Sequence, residues 1–203
     1  MAKTSGYHHG DLHNALLAAA EALLEKQGVG GVSLREVAKT AGVSHTAPYR
    51  HFKDKNALLA ALATTGYVRL AEAMEACVRD HPEDPLQQMS QASHAYVELA
   101  IGHPQVTNLM FGGVLQPADW SDELGKESNR AFEGLLTIVR NGQESGRYVD
   151  KETREIALLV WSTVHGFSML CSAGHLHEVA EDPRQITALV DSMGGMLMQG
   201  ILK

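Results

Sequence analysis

Apolar residues recur along most of the chain at intervals of three and four rather than two. Leu12, Leu16, Ala19, Ala20, Leu23 and Leu24 keep this period near the N-terminus, which predicts an amphipathic helix. Lys26 and Gly28 close it as a last-turn cation and a C′ glycine. "SLRE" (Ser33 to Glu36) has the spacing of a capping box and opens a short helix through about Thr40. "AGV" (Ala41 to Val43) reads as a turn, with Gly42 suited to positive φ. Ser44 then caps a second short helix through about Phe52, and Asp54 caps a long one toward Arg79, broken before Pro82. "DPLQ" (Asp84 to Gln87) and "DPRQ" (Asp182 to Gln185) each offer an Asp N-cap, a Pro at N1 and a Gln at N3. Further helices fall near 85–101, 104–112, 121–142 and 151–173. Loops are expected at 112–119, 142–150 and 173–182. Convincing strand alternation is absent, so the pattern predicts an all-α protein of about nine helices.

Composition adds a size and a compartment. With 203 residues, 44% of them apolar, the chain holds enough for one ordinary domain, or a small domain joined to a larger one. The polar start "MAKTSGYHHGD" has no apolar core of a signal peptide. The run Ile156 to Leu170 is too short and too polar to span a bilayer, so no membrane partner is expected. Cys77 and Cys171 form no metal or redox motif. They read as free thiols of a reducing cytoplasm.

Charge changes the picture more. The net charge is −7, yet residues 1–56 hold seven Lys/Arg against five Asp/Glu, while residues 57–203 hold ten against nineteen. From Arg35 to Lys55 the balance is five cations to two acids. A local basic patch on an acidic chain is the footprint of a polyanion site. At its centre stands "GVSHTAPYRHF" (Gly42 to Phe52), which contains no carboxylate.

Two short helices joined by a three-residue glycine turn make a helix-turn-helix, with Leu34, Val37, Ala38, Val43 and Phe52 as its small core. In that motif the second helix enters the major groove N-terminus first. Its spare amides and positive dipole end favour phosphate oxygens, and Pro48 is tolerated so near a helix start. His45, Thr46 and Ala47 would occupy the leading turn. His and Thr can bond base edges, and the Thr46 or Ala47 methyl can meet a thymine methyl. Ser33, Arg35, Thr40, Ser44, Tyr49, His51 and Lys55 suit the phosphates. Packing for Tyr49 and capping for His51 are the other readings of those two residues.

The segment "HNALLAAAEALLEKQGVGGVSLREVAKTAGVSHTAPYRHFKDKNALLAAL" closely resembles the N-terminal domain of TetR-type transcriptional regulators. "VAKTAGVSHTAPYRHFKDKNALL" is the most specific part, and "YHHGDL" (Tyr7 to Leu12) resembles one branch of that family. The resemblance covers about a quarter of the chain. It implies that Thr46 and its neighbours read bases while Tyr49, His51 and Lys55 hold phosphates. Further on, "VWSTVHG" (Val160 to Gly166) and "HAYVELAIGHPQVTNLMF" (His94 to Phe111) are similar to the regulatory domain of a subgroup with a Trp-His-Gly signature. The implied organisation is a DNA-binding domain at 1–56 and a helical regulatory, effector-binding and dimerisation domain at 57–203.

Periodicity in the body fits that organisation. Ile156, Val160, Val164 and Phe167 form one stripe, and Ala157, Trp161, His165 and Ser168 a neighbouring one, so this helix is buried on two sides. The last helix carries Ile186, Leu189, Val190, Met193, Leu197 and Ile201, with Gly194 and Gly195 inside it. Two such helices from each of two subunits would build a four-helix interface. A pocket between helices is implied by the resemblance, with His94, Met110, Phe111, Phe132, Trp161, His165 and Met169 as candidates for an unidentified small-molecule effector. Core packing is the other reading of each, and His165 can equally bond a neighbouring helix. "HLH" (His175 to His177) with Glu178 and "HHGDLH" (His8 to His13) hold metal-type ligands without a clean four-ligand set, so no metal and no cofactor is expected.

The expected function is a sequence-specific DNA-binding regulator. It would be a homodimeric, ligand-responsive repressor on a palindromic operator in double-stranded DNA. A small all-α enzyme, or a ligand-binding protein that does not act through DNA, is the alternative. The chain shows no phosphate loop, nucleophile elbow or metal set for the former. A DNA-packaging role is disfavoured by a pI of about 5.8, since bulk coating of DNA favours a basic chain.

Overall fold

The computed structural model describes residues 9–202, with side chains described from Leu12 onward. Nine α-helices and two 3-10 turns account for the regular structure of these residues, and one isolated antiparallel bridge joins Tyr148 to Leu202. The helices are α1 (His9–Gly31), α2 (Leu34–Thr40), α3 (Lys55–Asp80), α4 (Pro85–Gly102), α5 (Pro104–Phe111), α6 (Asp122–Glu144), α7 (Thr153–Ser172), α8 (His177–Ala180) and α9 (Pro183–Met198). They divide into two compact units. One holds residues up to Gly66 together with Gln105–Leu124, and the other holds Tyr67–Pro104 and Gly125 onward.

In the first unit the expected caps are made. The Ser33 hydroxyl accepts from the Glu36 amide at 3.2 Å, and the Asp54 carboxylate accepts from the Ala57 amide at 2.9 Å. Gly28 and Gly42 both take positive φ, +66° and +69°, a conformation that costs an L side chain energy and glycine nothing. Gly28 therefore breaks α1, with a last turn to Gly31 beyond the kink. Leu16, Ala20, Leu24, Val37, Ala38, Phe52, Leu58 and Leu62 are buried, while Val43 is half-buried. Helices α3 and α5 approach closely at Gly66, where an added Cβ would lie 2.5 Å from the Met110 sulfur.

The second short helix expected at Ser44 to Phe52 is a turn followed by a 3-10 segment, Pro48–Arg50. Pro48 explains the difference. It has no N–H to donate to the Ser44 carbonyl, and its ring crowds that carbonyl in an α-helix. The Ala47 amide bonds the Ser44 carbonyl instead at 3.0 Å, in the tighter 3-10 pattern.

In the second unit α4 packs along α7, α9 rests on α4 and α7, and α8 lies against α7 and α9. Asp84 and Asp182 cap α4 and α9 through amides of the first turn. Buried Tyr148 donates its hydroxyl to the Pro85 carbonyl at 2.8 Å. The fully buried Gln88 amide donates to the His81 carbonyl at 2.8 Å and accepts from Asn141 at 2.9 Å. Residues 173–182, expected as a loop, contain the one-turn helix α8. Helix α7 runs three residues before and two after the apolar run Ile156 to Leu170. At 20 residues it is long and apolar enough to cross a membrane by length and composition, contrary to the expectation for the shorter run. Its Ile156, Ala157, Val160, Val164 and Phe167 are buried within this unit, which is how a core helix acquires such a composition.

Candidate nucleic-acid interface and ligand site

The turn before α3 is where the head presents its chemistry. Arg35 and Thr40 on α2 are exposed, as are Ser44, His45 and Thr46 on the turn, and Tyr49 is 60% exposed. The Ser44 and Thr46 hydroxyls lie 3.3 Å apart and order the leading edge. Lys39, Arg50 and Lys53 are also exposed here. They entered the charge balance from the sequence but were not among the residues expected to touch DNA. Both acids of the stretch are engaged: Glu36 pairs with Lys39 at 3.7 Å, and Asp54 caps α3. With Arg35, Lys39, Arg50 and Lys53 exposed against these two acids, the patch is cationic at the surface.

Four expected contacts look different once placed. Ala47 is buried, at 9% exposure, so its methyl does not face a base. The 3-10 turn that Pro48 imposes rotates this residue inward. His51 is half-buried, its ring 5.5 Å from His13 and 6.3 Å from Phe52. Lys55 donates its ammonium to the Val29 carbonyl at 2.6 Å and so caps the end of α1. Ser33 is half-buried and its hydroxyl is committed to the α2 cap.

A connection that the sequence did not reveal links α1 to α5. The Glu25 carboxylate accepts from the Gln105 amide at 3.2 Å and the Val106 amide at 3.1 Å. A side chain on one helix thus satisfies the orphan donors and the positive end of another.

In the second unit the polar centre is Tyr96, a residue absent from the sequence-derived candidates. The indole N–H of Trp161 donates to the Tyr96 oxygen at 3.4 Å, and Tyr96 lies 2.8 Å from His165 Nδ1. An indole only donates, so Tyr96 accepts from Trp161, while the imidazole tautomer sets which of Tyr96 and His165 Nδ1 donates to the other. Burial pushes the Tyr96 hydroxyl well above its ordinary pKa and pulls His165 below 6.5, which keeps both neutral at pH 7. Beside them lies a cavity of about 30 Å³ lined by Met74, Met89, Tyr96, Leu135, Trp161 and Val164. The Phe132 ring sits 5.8 Å from Trp161, and the Arg154 guanidinium lies over that ring at 5.1 Å.

Of the seven pocket candidates, Phe132, Trp161 and His165 come together. Met169 is half-buried one turn further along α7. His94 turns to α9 instead and bonds Asp191 at 2.8 Å. Met110 and Phe111 belong to the first unit, where Met110 is buried against Gly66. Among the described residues no group of three or more His, Cys, Asp or Glu is arranged to hold a metal. His175 and His177 are exposed, as is Glu178, and His8 lies outside the described residues.

Comparison with known proteins assigns both parts. Residues 16–62 match the model of bacterial regulatory proteins of the tetR family, and residues 89–193 match the tetracyclin repressor-like C-terminal domain. The chain belongs to the TetR family. It is a DNA-binding transcriptional regulator of that family. A relative from Bacillus subtilis, the uncharacterized HTH-type transcriptional regulator YobS, is 28% identical over 75% of this chain and 74% of its own. Among solved structures, a Rhodococcus sp. RHA1 protein of unknown function is 34% identical, with a TM-score of 0.83 over 98% of this chain and 100% of its own. The TetR family regulator PfmR of Thermus thermophilus shares the fold at 19% identity, with a TM-score of 0.71 over 91% and 97% of the two chains.

Proposed function

We propose that this TetR-family regulator is a cytoplasmic homodimeric repressor released from a palindromic operator by a small-molecule effector. The observation that carries the dimer is an uncovered apolar face on α7 and α9. Leu159 and Leu170 of α7 are 49% and 48% exposed, and Leu189 and Met196 of α9 are 37% and 63% exposed. On α7, Leu159, Thr163, Gly166 and Leu170 follow the spacing of one helix stripe. Leu189, Met193 and Met196 do the same on α9. An added Cβ at Gly166 meets nothing within 4 Å, which leaves room for close approach by a second copy. Isologous pairing of this face would bury it and give two reading heads related by a twofold axis.

Each head would read bases through His45 and Thr46 and hold phosphates through Arg35, Thr40, Ser44 and Tyr49, with Arg50 and Lys53 beside them. His51 would position the turn, and Lys55 would serve both α1 and the phosphate backbone. The effector would enter beside Trp161 and His165 and exchange the Tyr96 bonds for its own. A cavity of about 30 Å³ holds roughly one water, so occupancy requires the helices to part. That is the differential binding an allosteric release needs.

The test is binding to the DNA flanking the protein's own coding region, at several salt concentrations and against random competitor. A twofold-symmetric footprint that survives competitor supports the proposal, as does one dimer per footprint by sedimentation. Binding as a monomer to an asymmetric site would overturn it.

A further inference from the structure

We infer that the groove between α4 and α9 is a second small-molecule site, shaped for a small apolar amine. Its floor is Leu86, Met89, Val160, Val190, Leu197 and Met198, and its volume is about 160 Å³. A cavity of about 150 Å³ with an apolar lining takes up benzene, so one ring with a short substituent fits. The groove shares Met89, Ser93 and Val160 with the inner cavity, whereas Trp161 lines the inner cavity and not the groove.

The rim selects the head group. Ser90, Ser93, His94 and Asp191 line the groove, and no lysine or arginine does. His94 Nε2 bonds Asp191 Oδ1 at 2.8 Å, which leaves the second carboxylate oxygen without a hydrogen bond among the described residues. The Ser93 hydroxyl donates to the Met89 carbonyl at 2.9 Å, so toward the groove it offers lone pairs. Ser90 adds a hydroxyl that can donate or accept, and apart from the His94 imidazole the Asp191 carboxylate is the one ionisable group on the rim among the described residues. A carboxylate ligand is repelled, and an ammonium head finds partners.

Gly194 gives an independent sign. A glycine in the interior of a helix is destabilising, and here no neighbour demands it, because an added Cβ meets nothing within 4 Å. The empty space above it is the groove. At 100° per residue, Asp191, Gly194 and Met198 lie on one flank of α9, while Leu189, Met193 and Met196 lie on the other. The site thus stays open when the α7–α9 face is covered by a second copy.

Benzylamine, toluene and benzoate, which share the ring, are the probes, each titrated into the intact protein and followed by backbone amide shifts. Benzylamine is expected to saturate at up to millimolar concentration, moving amides of Ser90 to His94 and Asp191 to Gly195, while benzoate does not. Asp191→Asn should weaken benzylamine about fivefold, the scale of a half-exposed ion pair, and leave toluene unchanged. Gly194→Leu should abolish binding of both by filling the groove, with thermal unfolding at or above the parent's. Trp161→Leu, which alters only the inner cavity, should leave benzylamine binding intact. The inference fails if benzoate binds as well as benzylamine, if nothing saturates, if Gly194→Leu still binds, or if Trp161→Leu is the variant that loses it.

Discussion

Lys55→Met is the sharpest probe of the reading head. The substitution keeps the aliphatic stem and deletes the ammonium that reaches the Val29 carbonyl at 2.6 Å. A hydrogen bond from a charged donor contributes about 1.5–3 kcal/mol when fully made. Two terms reduce that here. Lys55 is half-buried, so its remaining N–H groups are hydrated. The Val29 carbonyl also retains the Val32 amide at 3.3 Å, so it is not orphaned. About 1 kcal/mol is therefore the expected loss, or about 2–4 °C in Tm for a chain of this size. The urea midpoint should fall with an unchanged slope. On DNA the same ammonium has two further hydrogens for a phosphate. The slope of log affinity against log salt should drop by about 0.9, equally for operator and random sequence. An unchanged unfolding free energy would refute the anchoring argument, and lost stability with an unchanged salt slope would remove Lys55 from the phosphate contacts.

Thr46→Ala and His45→Ala should narrow the affinity ratio between operator and random DNA, while Arg35→Ala weakens both and lowers the salt slope by about 0.9. Equal losses for all three in competition assays would contradict that division. Burial lowers the His165 pKa from 6.5, so below pH 6.5 the unfolded chain takes up a proton that the folded chain refuses. Stability should then fall as pH drops below 6.5 and fall less in His165→Gln, measured as urea midpoints across that range. Superimposable profiles would defeat the assignment. Leu159→Glu with Met196→Glu should convert the protein to a monomer by sedimentation, with its helical circular dichroism retained. An intact dimer would place the interface elsewhere.

Helix starts were legible wherever one side chain does the capping. Ser33, Asp54, Asp84 and Asp182 all bond first-turn amides, and local spacing carries that information. The reading turn was legible as chemistry but not as geometry. The same Pro48 that looked harmless at a helix start suppresses the α-helix and turns Ala47 inward. Helix α8 is four residues long, too short for any periodicity to register. The long-range pairs were invisible for a different reason. Tyr96 meets His165 across 69 residues, His94 meets Asp191 across 97, and Glu25 meets Val106 across 81. Each side chain has many chemically equivalent partners in the sequence, and only the packing of the helices selects one.

Glu25 bears on attempts to build hybrid regulators by transplanting the reading head. A cut after residue 56 exchanges α1 and its carboxylate but leaves the Gln105 and Val106 amides behind. A foreign head without an acid at this place strands two backbone donors, and a foreign α5 strands a negative charge. The portable cassette is discontinuous: residues through 66 together with 105–124. Grafts that carry both pieces should retain cooperative melting, whereas grafts of the first piece alone begin with a mismatched joint that no linker design repairs.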